Sequence, residues 1–348
     1  MDEAGLRALV RSLPKAELHL HIEGTLEPEL AFGLARRSRV QLPYDSVENL
    51  RAAYEFRDLQ SFLDLYESGG AVLRSDEDFH DLASAYLDRA HLQGVVHAEV
   101  MFDPQMHTAR GVPLGAVIEG LSAALDEAGQ KYGITSRLIL SFLRDRGADD
   151  AMRTFDAARP WLDRIAAVGL DSAEVGHPAA AFRDVYAAAR AEGLAAVAHA
   201  GEEGPPAYVW EALDVLQVDR VDHGVRAVED ARLVDRLAAD QVPLDVCPLS
   251  NVALKVVPDL AAHPLPALME AGVLVTINSD DPAYFGGYVE ENYVAVAEAF
   301  DLDQSAVVGL VRNSLTASLL PRSEVAAHLA RLDELVQTPP TGELNRDR

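Results

Sequence analysis

AAFRDVYAAARAEGLAAVAHA, residues 180–200, carries the pattern on which the fold turns. Its first fourteen residues are good helix formers with apolar side chains at helical spacing. Gly193 stands where a helix C-terminal glycine is expected. The next seven, LAAVAHA (194–200), form a short apolar run that reads as a buried strand and ends at the ionisable His199. Working outward, the same apolar run recurs as AELHLHI (16–22), VVHAEVMF (95–102), RLILSF (137–142) and AAVGLD (166–171), and beyond it as DRVDHGV (219–225), VPLDVC (242–247) and GVLVTINS (272–279). That makes eight runs, most separated by Ala/Leu/Arg-rich helical stretches such as EDARLVDRLAADQ (229–241). Strand, helix, strand at this interval implies right-handed βαβ units and a parallel sheet. Eight such units predict an α/β fold, a (β/α)₈ TIM-type barrel, although six to eight strands fit the same pattern.

One interval is far longer than the rest. Residues 23–94 hold about two extra helical segments, LQSFLDLYESGGAVL and EDFHDLASAYLDRAHLQ. An insertion after the first strand lies over the C-terminal face, so a lid or pocket wall is expected there. Residues 290–336 read as further helix, and 337–348, QTPPTGELNRDR, as a disordered tail. No linker divides the 348 residues, so one domain over 1–348 is expected.

With 56 acidic against 30 basic residues the formal net charge is −26, which repels phosphate backbones and anionic lipid. Neither nucleic acid nor a membrane is therefore an expected partner. The start shows no signal-peptide-like apolar region, and no run reaches the ~18 residues of a membrane span. The one cysteine, Cys247, excludes an intramolecular disulfide framework and reads as a buried small hydrophobe. A cytoplasmic protein is expected, with self-association left open. Only three lysines occur, and Lys15, just before the first strand, reads as structural.

Barrels of this type carry their active sites at the C-terminal strand ends. The first run closes on His19 and His21, whose alternation points both imidazoles to one side. The fifth closes on His199 with Glu202 just beyond Gly201, the sixth on Asp222 and His223, and the eighth on Asp280 and Asp281. An ordinary polar strand terminus explains a lone histidine. It does not explain His-x-His, a third histidine and a carboxylate at one barrel mouth. Three imidazoles and a carboxylate suit a borderline divalent metal, zinc before iron or manganese. Glu202, close to that metal but not on it, is placed for proton transfer, unless it merely opens a solvent-facing loop with Glu203. His223 either deprotonates or orients a water, or packs beside Gly224. Of the adjacent Asp280 and Asp281, one can face the metal while the other faces a ligand.

Lys15-Ala-Glu-Leu-His-x-His, HAGE at His199, HG at His223, CPLSN from Cys247 and SDDP from Ser279 together resemble the adenosine/adenine deaminase family of the amidohydrolase superfamily. The resemblance implies a (β/α)₈ barrel holding one zinc ion on His19, His21, His199 and Asp280. It further implies a zinc-activated hydroxide attacking purine C6, Glu202 as proton donor to N1, His223 assisting the water and Asp281 hydrogen-bonding N7. The fourth strand ends GLDSAE with no lysine to be carbamylated, and the H-x-E…P-C-x-x-C signature of the nucleic-acid base deaminases is absent.

Glu23, in HIEGTLEPE, stands where the nucleoside enzymes usually carry an aspartate directed at the ribose. With GLDSAEVGHP, FDPQMHTARG and SDDPAYFGGY, it makes the chain look closest to the branch acting on free adenine in purine salvage. Glu23, Ser172 and Glu174 are accordingly expected at the substrate pocket. Deamination of adenosine or another N9-substituted or modified aminopurine is the alternative within the enzyme class. A non-catalytic purine- or metal-binding relative is the alternative outside it, and the presence of both Glu202 and His223 argues against it.

Overall fold

The computed structural model describes residues 3–337. Eight parallel strands lie in sequence order, β1 (Lys15–His21), β2 (Val95–Phe102), β3 (Thr135–Leu143), β4 (Ile165–Asp171), β5 (Ala195–Ala200), β6 (Arg220–His223), β7 (Leu244–Val246) and β8 (Val275–Ile277). Each corresponds to one of the eight apolar runs. The ring closes through Leu20 and Asp280: the His21 amide donates to the Asp280 carbonyl at 3.0 Å, and the Asp280 amide to that of His19 at 3.1 Å. The architecture is a (β/α)₈ barrel.

Strands in such a barrel are covered by helices outside and side chains inside, so they read as almost continuously apolar runs. The main core lies in the outer layer between strands and helices, while Met101, Ile139, Ala167 and Val197 form a small apolar plug inside the ring. Below the site the interior is ionic. The Arg220 guanidinium donates to Glu99 at 2.6 Å and to the Leu18 carbonyl at 3.0 Å, and also pairs with Asp245. Every one of these groups is buried, so the arginine is neutralised from two sides rather than left as a lone charge.

The long first insertion contains more helix than its periodicity suggests. After α1 (Glu3–Ser12) and β1 come α2 (Pro28–Ser38), α3 (Val47–Ala52), α4 (Leu59–Gly69) and α5 (Asp76–Leu92). Pro28 opens α2 at a first-turn position, and Asp58 and Ser75 cap α4 and α5 with reciprocal capping boxes. The long α5 packs on the outer helix Leu114–Tyr132 and so acts as an ordinary crossover helix. Helix α4 instead reaches over the barrel mouth. There Phe56, Leu59, Phe62 and Tyr66 join Met106, Leu143, Leu254, Tyr284 and Phe285 in an apolar cluster separate from the main core. At the other end, helices Val289–Ala299, Gln304–Ala317 and Arg322–Gln337 match the helical reading of that region. Of the expected tail, Gln337 ends the final helix, and 338–348 fall outside the described residues.

Candidate active site

The C-terminal strand ends converge as expected. His19 and His21 from β1, His199 from β5 and Asp280 just past β8 place one ligand atom each within 4.8 Å of one another. His21 Nε2 lies 3.3 Å from His199 Nε2, and His19 Nε2 lies 3.2 Å from Asp280 Oδ1. Burial makes His21 a poor base, lowered to about 4, and His199 is lowered for the same reason. Both therefore present the neutral, metal-binding form of the ring. For His19 burial works against the charge, yet Asp280, with Asp222 and Asp245 behind it, outweighs that and lifts this imidazole to about 9. A cation binding here would displace that proton.

The donor set fits a metal ion. Nε2 of His19 is fully buried without a well-directed hydrogen bond, three imidazoles face one another across a few ångströms, and a carboxylate closes the set. Outer partners fix the rings. His19 Nδ1 lies 3.2 Å from the Asp245 carbonyl oxygen and His199 Nδ1 lies 3.4 Å from Asp222 Oδ2, which leaves each Nε2 aimed inward.

Three site positions hold their side chains through unusual backbone. Ser172, His223 and Asp280 have φ of 71°, 62° and 65°, in the left-handed region that costs non-glycine residues energy. At the ends of β4, β6 and β8 this turns the chain sharply back over the mouth. Gly201 does the same with φ of 71°, as its place between His199 and Glu202 suggests. At Gly24 a Cβ would come within 2.6 Å of the Asp281 backbone, so glycine lets the β1 end pack against that aspartate.

Glu202 is buried, and its carboxyl stands 3.6 Å from His223 Nε2, which is in turn 3.7 Å from Asp280 Oδ2. Burial first, then the negative charges of Asp280, Glu174 and Glu203, push Glu202 well above the ordinary carboxyl range. Asp281 is pushed well above it too, by burial and then by Asp280. Asp280 itself is held well below despite its burial, by His19 above all. Adjacent carboxyls thus take opposite states, one charged towards the histidines and one protonated.

These groups line a cavity of about 190 Å³ roofed by Leu59, Phe62, Leu63 and Tyr66. His21, His199, Glu202, His223, Asp280, Asp281 and Ser172 all face it. Two expected pocket residues stand behind its wall instead. Glu174 accepts the amides of Gly201, Glu202, Glu203 and Gly204 at 2.6–3.1 Å, so it anchors the loop that presents Glu202. Glu23 accepts from the Asp103 amide at 3.2 Å, lies 2.7 Å from His107 Nε2 and buttresses Asp103.

Asp103 and Asp171 do line the cavity, and sequence reasoning passed over both. They are acids at the ends of β2 and β4, so the strand-end rule that selected the histidines would have found them. Burial raises both carboxyls; Tyr66 donates to Asp103 at 3.1 Å, and His21 Nδ1 lies 3.6 Å from Asp171. Tyr66, brought in by α4, carried no signal in the sequence. Cys247 is buried with its thiol raised well above the usual value by burial, as suits a packed small hydrophobe.

Comparison with known proteins agrees with this geometry. The adenosine deaminase family model matches residues 14–335. An adenine deaminase of Streptomyces coelicolor is 61% identical over 92% of this chain and 95% of its own, and one of Sphingopyxis alaskensis is 58% identical over 94% and 96%. A crystal structure of adenine deaminase from Arthrobacter aurescens superposes with a TM-score of 0.92 at 49% identity, covering 94% of this chain and 100% of that one. A Burkholderia ambifaria amidohydrolase with bound Zn gives 0.87 at 28% identity, covering 95% and 93%. Eight strands in sequence order, a histidine and aspartate cluster at their C-terminal ends and a family match across nearly the whole chain lead to one assignment: the chain belongs to the adenosine deaminase family, whose members are hydrolytic deaminases.

Proposed function

We propose that this protein hydrolyses adenine to hypoxanthine and ammonia, with zinc held by His19, His21, His199 and Asp280. The observation that carries the reading is a buried Glu202, its carboxyl pushed up by burial and by Asp280, sharing one small cavity with that cluster. Zinc would supply the Lewis acidity that makes water nucleophilic near neutral pH. Its choice over other metals rests on the donor set and on the Zn in the Burkholderia relative.

The chain's own residues account for the remaining chemistry. Glu202 gives ring N1 a proton as the water attacks C6, and the carboxylate so formed is placed to take a proton from the attacking oxygen, the other proton of the water passing to the departing amine so that ammonia leaves. Protonated Asp281 offers a hydrogen to N7, an acceptor on the same edge of the purine as the exocyclic amine. His223, hydrogen-bonding distance from neither Glu202 nor Asp280 but close to both, orients the attacking water between them. Phe62 and Leu63 offer an apolar surface for the ring at the roof, and a base bound there displaces water from the charges below, which strengthens their interactions.

Size favours a free base. The cavity of about 190 Å³ falls below the roughly 300–1,000 Å³ typical of drug-sized ligands. Two buried carboxyls, Asp103 and Asp171, stand in its wall, and relatives with more than half their residues identical are named adenine deaminases. Incubation of the zinc-loaded protein with adenine should release one equivalent of ammonia per hypoxanthine formed. Intact adenine, with no ammonia, would overturn the reading.

A further inference from the structure

Behind His223 runs a chain of buried hydrogen bonds whose direction can be worked out from one end. The Leu265 backbone amide lies 3.0 Å from His263 Nδ1. A backbone N–H only donates, so this ring nitrogen must be the acceptor and carries no hydrogen. His263 is buried, and burial lowers it to about 4, so the ring is neutral and its one hydrogen sits on Nε2. That nitrogen is 3.1 Å from Asn251 Oδ1 and donates to it. The amide orientation of Asn251 is thereby fixed, and its Nδ2 hydrogens face His223 Nδ1 at 3.3 Å. His223 Nδ1 is an acceptor in its turn, and the hydrogen of this neutral imidazole lies on Nε2.

We infer that Asn251 and His263 are positioning residues, which relay the direction of the Leu265 amide and hold His223 as the Nε2–H tautomer facing the cavity. The inference rests on the proposed role of His223 beside the attacking water and refines it. Nε2 is the ring atom nearest Glu202 Oε1 and Asp280 Oδ2, at 3.6 and 3.7 Å. In this tautomer His223 meets the water as a hydrogen-bond donor. It orients the oxygen and steadies negative charge on it, and the lone pair a general base needs points away, occupied by Asn251.

The arrangement is built to persist. Asn251 is fully buried, its amide donates to the Cys247 carbonyl at 3.0 Å and its carbonyl accepts from Val257 at 3.1 Å, so the side chain hangs from a fixed backbone. Among the described residues no second acceptor is hydrogen-bonded to its Nδ2, which leaves His223 as that group's partner.

The test is a long-range proton–nitrogen NMR correlation on the whole protein with ¹⁵N-labelled histidine, His223 being assigned by the signals lost in His223→Gln. Protonated Nε2 and bare Nδ1 at His223 are the expected result, and need no folded variant of the relay. Protonated Nδ1 would overturn the inference, whichever purine proves to be the substrate. In Asn251→Ala the Nδ1–H form should appear. There kcat should fall by about 10- to 100-fold, within the ~10⁴ that a wrong histidine tautomer costs where the ring is the base, with KM within about twofold and metal content unchanged. An unchanged His223 tautomer in that variant would equally overturn it.

Discussion

Glu202 shows how much of a residue's chemistry comes from where the backbone leaves it. Gly201 turns the chain with a left-handed φ, Glu174 gathers four amides of the loop, and the carboxyl ends up buried among other acids. Its raised proton affinity makes it an acid at neutral pH, so the rate should decline as pH rises through its pKa. Glu202→Gln removes the proton and keeps the shape. We expect kcat to drop by about 10²- to 10⁴-fold, with that alkaline decline gone and metal content unchanged by elemental analysis. Near-normal turnover would remove Glu202 from the mechanism. The candidates on the strand ends were legible because ionisable residues stood where apolar runs stopped. The roles of Glu174 and Glu23 were not, because a sequence places both near the mouth without saying which way their carboxyls turn.

At the scale of elements, all eight strands were visible as apolar runs, since a strand covered on both faces must be apolar throughout. Their ends were less so. The runs 242–247 and 272–279 contribute only Leu244–Val246 and Val275–Ile277 to the ladder. The chain bends away where it presents Cys247, Ser279 and Asp280, and ladder pairing stops at such bends. Helix α3 escaped because six residues are too few to show a periodic face, whereas α2, at eleven residues, is as long as α4, and its length does not explain its omission.

Strand β1 also carries a testable cost. Lys15 is buried at its start, donating to the Leu13 and Gln93 carbonyls at 2.9 and 2.6 Å, and burial lowers it to about 7. An unfolded lysine keeps its proton to about 10.4. Between these values the unfolded chain binds the extra proton, so stability must rise with pH across that window. Melting temperature measured from pH 7 to 10 should climb in the native protein relative to Lys15→Met. Parallel curves would refute a neutral buried lysine.

For the whole molecule, a net charge of −26 turns out to conceal two populations of acid. Most acids are solvated on the helices, while Glu99, Asp222, Asp245 and Asp280 are buried inside the ring, paired with Arg220 or facing histidines. Composition reports only the sum. The positions emerge when eight distant segments close into one barrel, which is also why the metal cluster cannot exist in the unfolded chain and why metal binding should add to stability. Metal-dependent deamination of the free base is put to its sharpest test by kcat/KM for adenine and adenosine, measured on one preparation whose zinc is counted. About one zinc per chain and a higher kcat/KM for adenine is the predicted result. A higher value for adenosine, or full activity in protein stripped of metal, would contradict it.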